Sequence, residues 1–272
     1  MQSRFIDDAA ALLSWHWSAG TRLLELPAPL RPADRSDGYA IQRAVARLSH
    51  QDVVGWKIAA TSIVGQRHIG VDGPLAGALL DNRVITGVGP DAAAEISLTA
   101  NLMRVAEAEF AFRLKRPLGA REAIYGVPEV LDAVESLHPA IEIPDSRYEN
   151  FAGVGAPQLI ADCACAYWLA IGQAAENDWR QLDLSAHQVQ TYLNGDQAAT
   201  GIGANVLRDP RLALTWLANE LRTYGGGLRA GDWVTTGTCI TPVAIAPGDR
   251  FRADFGALGA VGVQLTRDQG IA

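Results

Sequence analysis

Along residues 5–19, Phe5, Ile6, Ala9, Leu12, Leu13 and Trp17 recur near a 3.6-residue period, which predicts an amphipathic helix. A second stripe of Tyr39, Ile41, Ala44, Val45 and Leu48 predicts another, which Ser36 or Asp37 would cap. Between them Pro27, Pro29 and Pro32 deny residues 26–37 a helix, because proline lacks the donor and clashes with the preceding turn. From residue 53 the pattern shortens to β-type runs at 53–59, 104–114, 140–143, 188–193, 232–236 and 251–255, separated by Gly, Pro, Asn and Asp. Three more amphipathic stretches predict helices: 128–137 with Val130, Leu131, Val134 and Leu137 inward, 159–172, and 211–223 with Leu212, Trp216, Leu217 and Leu221 inward. Strand–helix alternation is scarce, so the class is α+β: a small helical lobe over 1–50 and a β-rich body over 51–272.

Composition narrows what this body can meet. Of 272 residues 49% are apolar and 19% charged, as in a folded globular chain, and no apolar run approaches the ~20 residues that span a bilayer. Thirty acidic against 23 basic side chains leave a net charge of -7, whose field repels phosphate backbones and excludes nucleic acid as a partner. Cys163, Cys165 and Cys239 are odd in number and lack zinc-site spacing, so they read as reduced packing residues. The first residues show neither a secretory apolar core nor a basic transit pattern, and a cytoplasmic location is the expectation.

Candidate chemistry concentrates in 105–112. In a strand Glu107 and Glu109 share one face, about 7 Å apart at Cα, while Ala106, Ala108, Phe110 and Phe112 share the other. Such like charges repel unless water, a shared proton or a cation intervenes. Glu142 stands among Ile141, Ile143 and Pro144 in a run too apolar for a solvent-facing strand, so something must hold it. Three carboxylates on two neighbouring strands make a hard oxygen site suited to Mg²⁺ or Mn²⁺. Lys57 interrupts the run 53–59 as either an ammonium entering a pocket or a snorkelling surface lysine. Residues 66–77, with Gly70, Gly73, Pro74 and Gly77, read as a shaped loop in which His68 is an ordinary exposed histidine. Arg147 suits either a substrate carboxylate or, the simpler account, an ion pair with Asp145 or Asp162. The hydroxyl-rich turn Thr236-Gly237-Thr238 can donate hydrogen bonds to an anion.

Taken together, Gly55-Trp56-Lys57-Ile58, Gly70-Val71-Asp72, Ala106-Glu107-Ala108-Glu109, Pro139-Ala140-Ile141-Glu142, Leu159-Ile160-Ala161-Asp162 and Thr236-Gly237-Thr238 occur in the order of one family. Over nearly its whole length the chain resembles the 2-keto-4-pentenoate hydratase and 4-oxalocrotonate decarboxylase family of the fumarylacetoacetate hydrolase superfamily. The resemblance implies a rolled mixed β-barrel with a helical N-terminal lobe, assembly into homo-oligomers, and complexes with a related decarboxylase or hydratase. It also implies Glu107, Glu109 and Glu142 as Mg²⁺ or Mn²⁺ ligands, Lys57 as a catalytic lysine, and Ser62, Leu75, Arg147 and Thr238 as substrate-binding positions. Two positions depart from the family: Leu75 replaces an acid that moves protons, leaving Asp72 as the nearby substitute, and Cys163 replaces an asparagine. The implied reaction is addition of water to a 2-hydroxy-2,4-dienoate, giving a 4-hydroxy-2-oxo acid in the catabolism of aromatic or related rings. Its alternatives are decarboxylation of a 2-oxo-enedioate, C–C hydrolysis of an acylpyruvate, or a non-catalytic 2-oxo-acid-binding paralogue.

Overall fold

The two N-terminal stripes fold as helices α1 (Ser3–Ala19) and α2 (Arg35–Ser49). After them come β1 (Val53–Ala59), α3 (Ile63–His68), β2 (Leu75–Leu80), β3 (Val84–Val88), β4 (Ala94–Ser97), β5 (Val105–Leu114) and β6 (Leu118–Gly119). The chain continues through α4 (Val127–Asp132), β7 (Val134–Ile143), α5 (Ala156–Ala161), β8 (Trp168–Gly172), β9 (Gln188–Leu193) and β10 (Asp196–Ile202). It ends with α6 (Pro210–Tyr224), β11 (Gly227–Leu228), β12 (Trp233–Thr238), β13 (Val243–Ala244), β14 (Arg250–Asp254) and β15 (Ala260–Thr266). This computed structural model describes residues 1–91 and 93–267, so 268–272 of the expected body lie outside the described residues.

Several elements differ from expectation for identifiable reasons. The cap of α2 is Asp34, not Ser36 or Asp37: its extended backbone lets the carboxylate accept Asp37 N–H at 2.9 Å, while Asp37 reaches back to Ala33 N–H at 3.1 Å. Leu48 faces outward at the far end of that helix. The helix expected over 128–137 stops at Asp132, and Val134 and Leu137 belong to β7, opposite Leu114 and Phe112. Apolar residues three apart suit a helix face, but pairing with β5 buries both fully. The helix expected over 159–172 ends at Ala161, because Cys163, Ala164 and Cys165 all take the left-handed backbone and the chain then enters β8. Part of the loop expected over 66–77 is regular: 66–68 finish α3, which Ser62 caps through Gly65 N–H, and 75–77 begin β2. In α6 it is Ala213 and Leu214 that turn inward, whereas Leu212 is exposed.

The principal sheet has the order β2-β1-β12-β5-β7-β8-β3, with β13 alongside β5. β1 and β12 are parallel, as are β3 and β8, and the other neighbours are antiparallel. A second, five-stranded sheet runs β10-β9-β14-β15-β4. The architecture is α+β, with N-terminal helices on a curled mixed sheet that forms a half-barrel. One face carries Phe110, Phe112, Ile58, Ile141 and Val234 into the main core. The opposite face, with Ala111, Ala140, Leu79 and Trp233, shares a core with Ala9, Leu13, Ile41 and Val45 of the two long helices. Those helices cover the side of the sheet on which the acidic residues of β5 and β7 project.

Candidate active site

The register of β5 on β7 places Glu107 directly opposite Glu142, with Glu109 opposite Ala140. Unscreened like charges facing across an antiparallel pair destabilise it. Yet one oxygen from each of Glu107, Glu109 and Glu142 lies within 4.8 Å of the other two. Glu109 and Glu142 are almost completely buried, while Glu107 keeps part of its surface open. Glu109 Oε2 accepts the Gly237 N–H at 2.9 Å, whereas Glu109 Oε1 and both Glu142 oxygens are buried without a hydrogen-bond donor among the described residues. Three converging carboxylates with unused oxygens are the donor set a hard divalent cation takes.

Lys57 closes the cluster. Its Nζ lies 3.0 Å from Glu142 Oε1, an ion pair that is not aligned as a hydrogen bond. In sheet order β1 is three strands from β7, about 14 Å on a flat sheet at the usual spacing. A lysine cannot span that distance, so the curl of the sheet makes the contact. Burial alone would push the Lys57 ammonium down, but Glu142, Glu107 and Glu109 together hold it above its ordinary value. Burial, with Glu142 next in weight, pushes the Glu107 carboxyl up to about 7 against the opposing pull of Lys57. Glu109 is also raised well above the carboxylate range, by burial first and then by Glu142 and Glu107.

These groups open on a cavity of about 720 Å³ whose lining includes Lys57, Glu107, Ser62, Leu75 and Thr238. Apolar wall is supplied by Ile69, Met103, Phe151 and Ile240. A separate cavity of about 730 Å³ beside α1 holds Arg83, stacked over Tyr167 and Trp168, but no lysine, histidine or carboxylate. Chemistry singles out the first.

Two expected site residues are not brought there. Asp72 is exposed on the loop after α3 and does not line the cavity. Leu75 itself is fully buried in the cavity wall. Arg147 does not line the cavity and makes the simpler of its two expected contacts, the ion pair: Nε pairs with Asp162 Oδ1 at 2.7 Å, Nη2 donates to the Asp145 carbonyl, and the guanidinium lies 3.9 Å over the Trp17 ring. The Asp145 carboxylate pairs with Arg22 instead and accepts the N–H groups of Leu102 and Met103, fixing one wall of the cavity.

In the hydroxyl-rich turn the Gly237 N–H donates to Glu109 Oε2, while Thr238 lines the cavity. The turn is also closely packed from behind. A Cβ on Gly237 would stand 2.3 Å from Thr61 Oγ1, and one on Gly77 would stand 1.8 Å from the Cys163 carbonyl oxygen. The signal for both was a glycine inside a strand run.

Residues 83–266 match the family described as fumarylacetoacetate (FAA) hydrolase, C-terminal. The chain belongs to the fumarylacetoacetate hydrolase family. Within the family it is related to 2-keto-4-pentenoate hydratase of Paraburkholderia xenovorans (strain LB400), 32% identical over 266 residues covering 97% of this chain and 96% of the relative. A 4-oxalocrotonate decarboxylase of Pseudomonas putida is 31% identical over 233 residues, 85% of each chain. Among solved structures, 4-oxalocrotonate decarboxylase from Pseudomonas putida G7, complexed with magnesium and adipate, superposes with a TM-score of 0.83 at 25% identity. That superposition covers 97% of this chain and 99% of the other. The same enzyme complexed with calcium and acetate gives a TM-score of 0.85 at 23% identity, over 97% and 98% of the two chains.

Proposed function

We propose that this fumarylacetoacetate hydrolase family member is a divalent-cation-dependent lyase of small 2-oxo acids that removes CO₂ from the far end of a 2-oxo-enedioate. One observation carries the choice of reaction. The position at which the resemblance puts a proton-moving acid is Leu75, fully buried, and the described lining offers no carboxylate other than Glu107. Hydration must activate and place a water, which asks for such a group. Decarboxylation asks for an electron sink at one end of the substrate and an apolar surround at the other.

The unused buried oxygens of Glu109 and Glu142, with the open Glu107, fit Mg²⁺ or Mn²⁺. A cation held by the three would act as a Lewis acid toward the carboxylate and 2-oxo group of the substrate. Lys57, kept protonated by its glutamates, lines the cavity beside that cluster and would donate to the 2-oxo oxygen as it gains charge. As the remote C–C bond breaks, its electron pair passes through the conjugated chain to that oxygen, which takes a proton from Lys57. The products are CO₂ and a 2-hydroxydienoate, and solvent returns the proton to Lys57. Ile69, Met103 and Phe151 surround the tail with apolar surface in which a carboxylate is less well solvated than neutral CO₂.

The second reading, hydration of a 2-hydroxydienoate, is favoured by the names of relatives at 32% and 34% identity, the latter a 2-hydroxyhexa-2,4-dienoate hydratase of Comamonas testosteroni. C–C hydrolysis of an acylpyruvate asks for a water-activating pair, and His68, the histidine of the lining, has no carboxylate partner among the described residues. The test presents Mg²⁺- or Mn²⁺-loaded protein with 2-oxohex-3-enedioate and, separately, with 2-hydroxypenta-2,4-dienoate. Release of CO₂ from the first without loss of dienoate absorbance from the second is expected. The reverse pattern establishes the hydratase, and tight oxalate binding with neither reaction marks a non-catalytic binder.

A further inference from the structure

The cavity of about 730 Å³ beside α1 has no lining residue in common with the cavity of Lys57 and Glu107. Residues 164 and 165 line the latter while 167 and 168 line the former, so one short stretch of chain stands between the two. The lining of this second cavity is of two kinds. Trp17, Val45, Leu48 and Leu80 supply apolar wall, while serines of α1, α2 and β4 supply neutral polar groups. Among the described residues Arg83 is the one charged group there.

Arg83 is held in place without being neutralised. Its guanidinium carbon lies 4.5 Å from the centre of the Tyr167 ring and 4.6 Å from that of Trp168, and the two rings stand at 83° to each other. Aromatic faces attract a guanidinium through their quadrupoles and leave its N–H groups, which lie in its own plane, unspent. No described residue accepts a hydrogen bond from this side chain or forms an ion pair with it. By contrast Arg147, which lies over Trp17, is paired with Asp162, and Arg22 is paired with Asp145. Two further donors in the same wall, Trp168 Nε1 and Ser14 Oγ, are buried without a hydrogen-bond partner among the described residues. A concave surface that offers donors and one fixed cation, with no anion to answer them, is complementary to a carboxylate.

We propose that this cavity is a second binding site, apart from the glutamate centre, for a small organic monocarboxylate. Its carboxylate accepts the Arg83 N–H groups, and its apolar body rests against the wall that includes Trp17 and Leu48. That wall selects an organic acid over inorganic phosphate, which would meet the charge of Arg83 but cover no apolar surface. The assignment is independent of the chemistry of the glutamate centre, since the two cavities are lined by different residues.

The test is calorimetric titration of the full chain with benzoate, benzamide and inorganic phosphate, in the wild type and in Arg83→Gln and Arg83→Lys. Benzoate is expected to bind with a dissociation constant below about 10 mM, the weak limit for a ligand of its size at ordinary ligand efficiency. It should bind about tenfold more tightly than benzamide, which has the same shape and no charge, and more tightly than phosphate. Arg83→Gln loses the preference for benzoate over benzamide, and Arg83→Lys keeps part of it through its charge. Mg²⁺ with oxalate leaves benzoate affinity unchanged. Equal binding of benzoate and benzamide, phosphate binding as tight as benzoate, or competition between benzoate and oxalate overturns the assignment, and all three are read on the wild type alone. A preference that survives in Arg83→Gln overturns it too. Sedimentation of the wild type as an oligomer that Arg83→Gln dissociates gives the cavity to a second copy of this chain and equally removes the small-acid site.

Discussion

Lys57 carries two duties that can be separated by substitution. Replacing it by methionine keeps the volume but leaves Glu142 buried without its cation, which should cost the metal-free protein about 3 kcal/mol. Bound Mg²⁺ should restore part of that loss, whereas turnover should stay at least about a hundredfold down, because the proton source is gone. Denaturant titration with and without Mg²⁺, beside single-turnover rates, checks both halves. The glutamates make a separate prediction about pH. Glu107 and Glu109 hold protons above the carboxylate range, and a cation must displace them. Affinity for Mg²⁺ should thus rise as pH rises through about 7, with protons released on binding. For the metal-free fold the sign is opposite. A carboxyl raised from 4.5 to about 7 binds protons more tightly folded than unfolded, so its stabilising contribution is complete below 4.5 and lost as pH passes 7. Titration at several pH values in buffers of different ionisation enthalpy reads both the affinity and the protons released.

At the scale of elements, what sequence patterning revealed and what it hid divide by range. β1 and β9 occupy the expected residues, and the alternation in β5 correctly put Glu107 and Glu109 on one face, because period-two burial is a local property. The turn between α5 and β8 was hidden, since three consecutive non-glycine residues in the left-handed region have no compositional mark. They are held from a distance: Asp162 is gripped by Arg147 and Ser146, and Gly77 lets β2 lie against the Cys163 carbonyl. Gly77→Ala should therefore destabilise the protein by about 3 kcal/mol, whereas Gly73→Ala, with open space around it, should be close to neutral. Urea midpoints of the two variants provide the comparison. The placement of Lys57 beside Glu142 was equally hidden, because it depends on the curl of the whole sheet and not on either strand.

For the whole molecule, a cation held by the candidate carboxylate cluster would couple its binding to folding. Mg²⁺ at a hundred times its dissociation constant should add about 2.7 kcal/mol, which for a chain of this size raises Tm by roughly 5 to 10 °C. Glu142→Gln should remove most of that rise, and differential scanning calorimetry across a magnesium series measures it. The N-terminal helices belong to the same unit, because Arg22 grips Asp145, and Asp145 in turn holds the Leu102 and Met103 amides at the cavity wall.

The seat of β12 between β1 and β5 orders events in time. Residues 233–238 leave the ribosome long after Lys57 and all three glutamates, yet without them the two halves of the cluster have no shared strand. A nascent chain can therefore pair β5 with β7 and gather the three glutamates before β12 gives Lys57 its place beside them.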